Sequence, residues 1–318
     1  MPHHRKFCFS NFFKPMDKKI KSLSVYRKNL VLKSSADEVP DEQEFLISES
    51  FYEPAFGRLL KEIQYSDDGQ VEQIMAYTYD ENGFLTGEEL LEADGSVLEK
   101  RSFEPEDQGR IANEFVHYAD GSADRITYAY DDKGRVIKKE RYDDEDELES
   151  AESFAYDGEL LLSTRSEDAQ GELLSETRNS FDENGRLTEV VTENREEEIW
   201  YRKVYRYNEA GHRLAATTYN QEGDPVERIL FENDGQGRPL MIVDENRRQK
   251  NTLRMEYNER GDIVFQEEHD VNGELLNRIE RRYDDQGRLL ESHIVVRNLQ
   301  HGISRSYSLR NEYAFFEE

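Results

Sequence analysis

The chain has 318 residues, and 70 Asp and Glu against 42 Lys and Arg leave a formal net charge of −28. That balance excludes a binder of nucleic acid or another bulk polyanion, because affinity for phosphate backbones rests on Lys and Arg releasing counterions. Apolar runs fall far short of the ~18 residues a membrane-crossing helix needs, and the single cysteine, Cys8, excludes a disulfide framework or a cysteine-based zinc cluster. Yet 18 Tyr and 16 Phe supply more aromatic surface than an acidic disordered chain carries, so the sequence folds.

Residues 1–36 hold nine basic side chains against one acid, Asp17, whereas the remainder of the chain has 33 basic and 69 acidic residues. This asymmetry marks residues 1–40 as a basic arm. Arg5, Lys6, Lys18 and Lys19 are its candidate partner contacts, with Phe7, Phe9, Phe12 and Phe13 as apolar anchors. As a secretory signal the segment is poor, since Ser10 and Asn11 interrupt its apolar stretch and no small-residue cleavage site follows, so a cytoplasmic location is expected. Translation from Met16 in place of Met1 would delete the aromatic cluster.

Residues 41–298 are organised by glycine. One series runs Gly57, Gly83, Gly109, Gly134, Gly158, Gly185, Gly211, Gly237, Gly261 and Gly287, with a period of about 26. A second series interleaves at Gly69, Gly95, Gly121, Gly171, Gly223, Gly273 and Gly302, and its missing members fall near Asp146, Glu198 and Gln249. The words around the first series share a template, Tyr-Asp-x-x-Gly-Arg-Leu, as in Tyr130-Asp131-Asp132-Lys133-Gly134-Arg135-Val136 and Tyr283-Asp284-Asp285-Gln286-Gly287-Arg288-Leu289. Asp opens a turn by bonding its own backbone, and Gly takes the left-handed position that closes it. Between turns the chain alternates, with Ile126, Tyr128 and Tyr130 on one strand face.

The expected fold is therefore all-β: an antiparallel β-hairpin meander of about ten repeats and roughly 20 short strands. Open sheets beyond ~10 strands curl, so a curved or spiralling ribbon, or a solenoid, is expected. Residues 299–318 leave the glycine grid, and Tyr307, Tyr313, Phe315 and Phe316 are apolar enough to cap the last open strand.

The motif words resemble the YD repeats of the rearrangement-hotspot (RHS) family, which occur in large bacterial toxin shells and teneurin-like surface proteins. The resemblance spans about 240 residues. Asp224-Pro225 is the sole Asp-Pro, and the Asp-Pro-x-Gly-Leu core that follows the repeats in the shell proteins is missing. With about ten repeats, the resemblance implies a hairpin-repeat module too short to close a hollow shell. A weaker similarity links the hairpin grammar to MORN-variant repeat proteins, some of them antitoxins.

No Gly-x-Ser-x-Gly, His-Glu-x-x-His, P-loop or dinucleotide-binding motif is present, no histidines pair at helical spacing, and the acidic run 143–147 lacks the EF-hand pattern. No enzyme activity, cofactor or resident metal is expected. Tyr79, Tyr130, Tyr207, Tyr257 and Tyr283 each sit four residues before a glycine and should form a ladder. Structural stacking is its first role; exposed along a concave face, it would contact a partner. The expected function is a non-enzymatic repeat scaffold engaging a basic protein, in the manner of a bacterial immunity protein or antitoxin. A glycan-binding surface module is the alternative.

Overall fold

The computed structural model describes residues 19–31, 41–106, 109–298 and 303–317. They form 22 antiparallel strands in one sheet, from β1 (Ile20–Val31) and β2 (Asp41–Tyr52) to β21 (Leu289–Asn298) and β22 (Ile303–Phe315). Each strand pairs with its neighbours in sequence, and β1 pairs on one edge with β2 and on the other with β22. The sheet is therefore a closed barrel. This corrects the expectation of an open ribbon or solenoid, and of too few repeats to enclose a space.

Two features account for closure. Residues 20–31, assigned from composition to the basic arm, are a strand whose two free edges join the ends of the meander, Ser22–Val31 against β2 and Ile20–Asn29 against β22. In addition, 18 of the 22 ladders contain a register shift. Each such bulge bends its strand and raises the local twist, and bulges of this kind are over-represented at the rims of barrels. β22 covers the last hairpin strand, as a cap would, and also supplies the partner for β1.

At ~4.8 Å per strand and ~40° of tilt, 22 strands enclose a barrel about 44 Å across. Nothing among the described side chains fills it. Among the described residues no large side chain is fully buried, and the buried apolar set is Ile63, Ala215, Ala216, Met255 and Ile294. Among the same residues the hydrogen bonds, ion pairs and ring contacts join strands or turns that are close neighbours round the wall, and strand contacts link adjacent strands. The described wall is one sheet thick. The chain exposes 21679 Å², where a compact globule of 37.4 kDa would expose about 14,000 Å².

The two faces differ. Along Ala123–Tyr130, Asp124, Ile126, Tyr128 and Tyr130 share one face. That face holds most of the buried residues, including Glu114, Asp124, Met255, Ser292 and Ile294. Residues directly before the motif aromatics, Ala129, Ser180, Arg206, Glu256 and Arg282, are exposed on the other. Burial also pushes up the phenols of Tyr52, Tyr77, Tyr130, Tyr257 and Tyr283. The tyrosine face is thus the more crowded of the two.

All 16 described glycines of the two series have positive φ, and Asp146 (φ 65°) and Glu198 (φ 53°) adopt the same left-handed conformation at two positions where glycine is missing, whereas Gln249, at the third, does not. Most motif turns are built on an acid, with Asn208 and Asn258 in that place in two of them. The Asp131 Oδ1 accepts the amides of Lys133 (2.9 Å) and Arg135 (3.0 Å), while Oδ2 accepts Arg135 Nε (2.7 Å). Arg135 then covers the Tyr156 ring of the next hairpin at 4.3 Å, and the Tyr156 hydroxyl donates to the carbonyl of Val136 at 3.0 Å. The same clasp recurs as Asp182–Arg186–Tyr207–Leu187, Asp234–Arg238–Tyr257–Pro239 and Asp284–Arg288–Tyr313–Leu289. Glu replaces Asp in Glu53–Arg58–Tyr79–Leu59 and Glu106–Arg110–Tyr130–Ile111. The motif is thus a device that fastens a hairpin to the next at six of the first-rim turns.

Replacing Tyr207 by Phe removes the hydroxyl bond to Leu187 and should cost about 1 kcal/mol. The hydroxyl of Tyr205, two residues earlier on the same face, makes no hydrogen bond among the described residues, so Tyr205→Phe should leave the denaturation midpoint unchanged. Equal effects of the two substitutions in a urea titration would contradict the clasp.

Candidate functional site

Alternate turns emerge at opposite ends of the barrel, so the two glycine series build two different rims. The first rim carries the clasps, in which Glu53, Glu106, Asp131, Asp182, Asp234 and Asp284 are each paired with an arginine. Hydrogen bonds from the Arg135 side chain hold the Asp131 carboxyl below its usual range, and the Arg186 amide and guanidinium do the same to Asp182. Lys19 joins this rim, its Nζ donating to the carbonyl of Pro54 at 2.8 Å.

The second rim is strongly acidic. Its nine described turns, residues 66–70, 92–96, 118–122, 143–147, 168–172, 195–198, 220–224, 246–250 and 270–274, hold 19 Asp and Glu against four Lys and Arg. Only Asp67, Asp146 and Asp224 of these acids form ion pairs among the described residues, with Arg27, Arg125 and Arg247. The densest turn is Asp143-Asp144-Glu145-Asp146-Glu147, where Asp143 Oδ1 caps the amides of Glu145 (3.0 Å) and Glu147 (2.9 Å), Asp146 meets Arg125, and Asp144, Glu145 and Glu147 are exposed. Hydrogen bonds from Ser66, Ser96 and Ser122 lower the pKa values of Asp68, Asp94 and Asp120, so these acids stay ionised at neutral pH.

Between the rims the tyrosine face carries polar ladders. Glu114 accepts the hydroxyl of Tyr128 (2.7 Å) and a guanidinium nitrogen of Arg101 (3.1 Å). Asp124 is bonded by Tyr118 and Arg141. Further round, Glu227 accepts Thr218 (3.0 Å) and Lys203 (3.4 Å), and Glu268 accepts the side-chain amides of Asn251 (2.6 Å) and Asn277. Asp244 lies in the same belt with Oδ1 shielded and without a partner. Burial, and then repulsion from Glu227, raises its pKa. Among the described residues no group of three or more His, Cys, Asp or Glu could hold a metal ion.

The sequence candidates are thus placed apart. Tyr79, Tyr130, Tyr207 and Tyr257 lie round the first rim, each under an Arg guanidinium and each hydrogen-bonded through its hydroxyl; Tyr283 donates to Ile263 at 3.1 Å. Arg5, Lys6 and Lys18 lie outside the described residues. Gly57, Gly83, Gly109, Gly134, Gly185, Gly211, Gly237, Gly261 and Gly287 all occupy first-rim turns with positive φ. The acidic rim was not singled out by sequence, although its signal was present: Asp67-Asp68-Gly69, Asp94-Gly95 and Asp120-Gly121 share a phase that puts them all at one end.

No protein-family model matches the chain. No curated protein matches it either. Among solved structures, a porin-like protein from Bacteroides uniformis aligns at 11% identity with a TM-score of 0.33, covering 93% of this chain and 98% of that one. The TcdB2-TccC3 structure without its hypervariable C-terminal region aligns at 11% identity and a TM-score of 0.32, covering 90% of this chain and 20% of that one. The Tc holotoxin pore of Photorhabdus luminescens aligns at 13% identity and a TM-score of 0.27, over 90% and 19% of the two chains. Likenesses this distant carry no argument about function.

Asp244 gives a pH test. A carboxyl whose folded pKa is raised contributes stability that is present below its unfolded value and lost as pH rises through the folded one. Asp244→Asn should therefore raise the melting temperature at pH 7, with the gain shrinking as the pH falls toward about 4. A variant destabilised at pH 7 would contradict the placement of Asp244 in an unfavourable site.

Proposed function

We propose that the protein is a non-enzymatic scaffold whose acidic rim docks a basic protein partner. The observation that carries this reading is the rim itself, 19 acids against four bases with three of the acids in ion pairs among the described residues. A single-signed ring of ionised carboxylates steers a cationic partner and rejects acidic ones. Side chains committed to the clasps keep the hairpins in register, so the carboxylates are presented on a preformed frame. With the resemblance to RHS-type repeats and to MORN-variant antitoxins, the concrete form of the proposal is an immunity protein or antitoxin masking a cationic toxin.

Two observations favour this over other roles for a barrel. Mid-strand charges occur on both faces, Glu114, Lys139, Glu152 and Lys203 on one and Lys100, Arg125, Lys138 and Glu140 on the other. A lipid-facing band would suffer ~2–4 kcal/mol for each basic side chain at its midplane, so the wall suits water on both sides. A glycan reading needs open tyrosine faces, and guanidinium groups already lie over Tyr79, Tyr130, Tyr207 and Tyr257.

The test is affinity capture from host extract with the full chain and with a variant carrying Asp144→Lys, Glu145→Lys, Glu196→Lys and Glu197→Lys, all on exposed turns. A basic protein should be retained by the parent at about 0.05 M salt, released at about 0.5 M, and not retained by the variant. Capture of the same protein by both chains, insensitive to salt, would overturn the reading.

A further inference from the structure

One turn breaks the pattern of the acidic rim. Asn246-Arg247-Arg248-Gln249-Lys250 joins β17 (Pro239–Asn246) to β18 (Lys250–Tyr257) and holds three of the four basic residues among the nine turns. Beside it lies a recess of about 540 Å³ between the turn, the start of β16 (Pro225–Asn233) and the neighbouring turn at Val271. Arg228, Arg247, Arg248 and Lys250 line it from the charged side, and Pro225, Val226 and Val271 provide its apolar surface.

The cations are not equally engaged. Arg247 lies 3.7 Å from Asp224, and Lys250 lies 3.3 Å from Glu245. Neither the Arg228 nor the Arg248 guanidinium has a hydrogen bond or ion pair among the described residues; the backbone amide of Arg248, not its side chain, is held by Asn246 Oδ1 at 2.9 Å. The two acids that line the recess are already used, Glu245 by Lys250 and Glu227 by Lys203 and Thr218. Two open guanidinium forks thus face one recess, while Val271, 68% exposed, leaves an uncovered apolar surface next to them. A guanidinium presents paired donors that match the oxygens of a phosphate or carboxylate.

We propose that this recess binds a small oxyanion, a phosphate or carboxylate, carried on a short apolar body. Arg228 and Arg248 take the oxygens, and Val226, Pro225 and Val271 take the body. The site is independent of the partner surface proposed above, because it selects the opposite charge. A bound anion would also neutralise the one basic gap in the rim and complete its negative ring.

The full chain is titrated by isothermal calorimetry with phenyl phosphate and, separately, phenylacetate; the two probes separate the phosphate from the carboxylate source. Saturable binding of at least one is expected. Arg248→Glu and Arg228→Glu should each weaken it at least tenfold, whereas Arg260→Glu, on the opposite rim, should not change it. Val271→Ser should weaken phenyl phosphate more than inorganic phosphate. All of these positions are exposed, and an unchanged circular-dichroism melt confirms that each variant folds. Absence of saturable binding by either probe, or equal losses in Arg260→Glu and Arg248→Glu, would overturn the proposal.

Discussion

A wall one sheet thick has no interior to hold it together, so its stability has to be assembled between neighbours. The clasp of acid, arginine and tyrosine meets that constraint. One carboxylate satisfies two turn amides and a guanidinium; the guanidinium lies flat on the next hairpin's tyrosine, and that hydroxyl returns to the first hairpin's backbone. Each group therefore serves the turn and the seam between repeats together. Charged hydrogen bonds and ring stacking at a partly shielded rim take over the cohesive role that buried aliphatic side chains have in a globule.

This division of labour sets the electrostatics. Six acids of the first rim are paired with arginines in the clasps, and strand charges pair across ladders, as in Lys100–Glu89 and Arg278–Glu267. On the second rim only three acids are paired among the described residues, on turns whose local duty is to reverse the chain. A rim free of structural duties is free to carry recognition, and the barrel holds its turns in a fixed circular order. The Arg247–Arg248–Lys250 turn stands out because it breaks that order at one point.

Much of this was legible in the sequence, and the illegible part has a definite cause. The glycine grid marked the turns, down to the left-handed Asp146 and Glu198 at positions where glycine was missing. Tyr-Asp-x-x-Gly-Arg identified the clasp residues without revealing the clasp, since the arginine of one hairpin meets the tyrosine of the next about 20 residues on. Closure was hidden because β1 carries no turn word and its basic residues read as an arm, while its β22 partners lie at the far end of the chain, Asn29 opposite Tyr307. Periodicity reports local pairing and is silent about which edges meet.

The central claim is that β1 closes the barrel against β22. It is tested most directly by replacing Ser24 and Glu312, which face each other across that ladder, with cysteine in a chain whose native Cys8 is changed to serine. Directly opposed residues have Cβ atoms about 5 Å apart, within reach of a disulfide. Mild oxidation should yield an intramolecular crosslink in the monomer, seen as a mobility shift reversed by reductant. Free thiols after oxidation, or crosslinked dimers alone, would mean that the edges do not meet and that the wall is open.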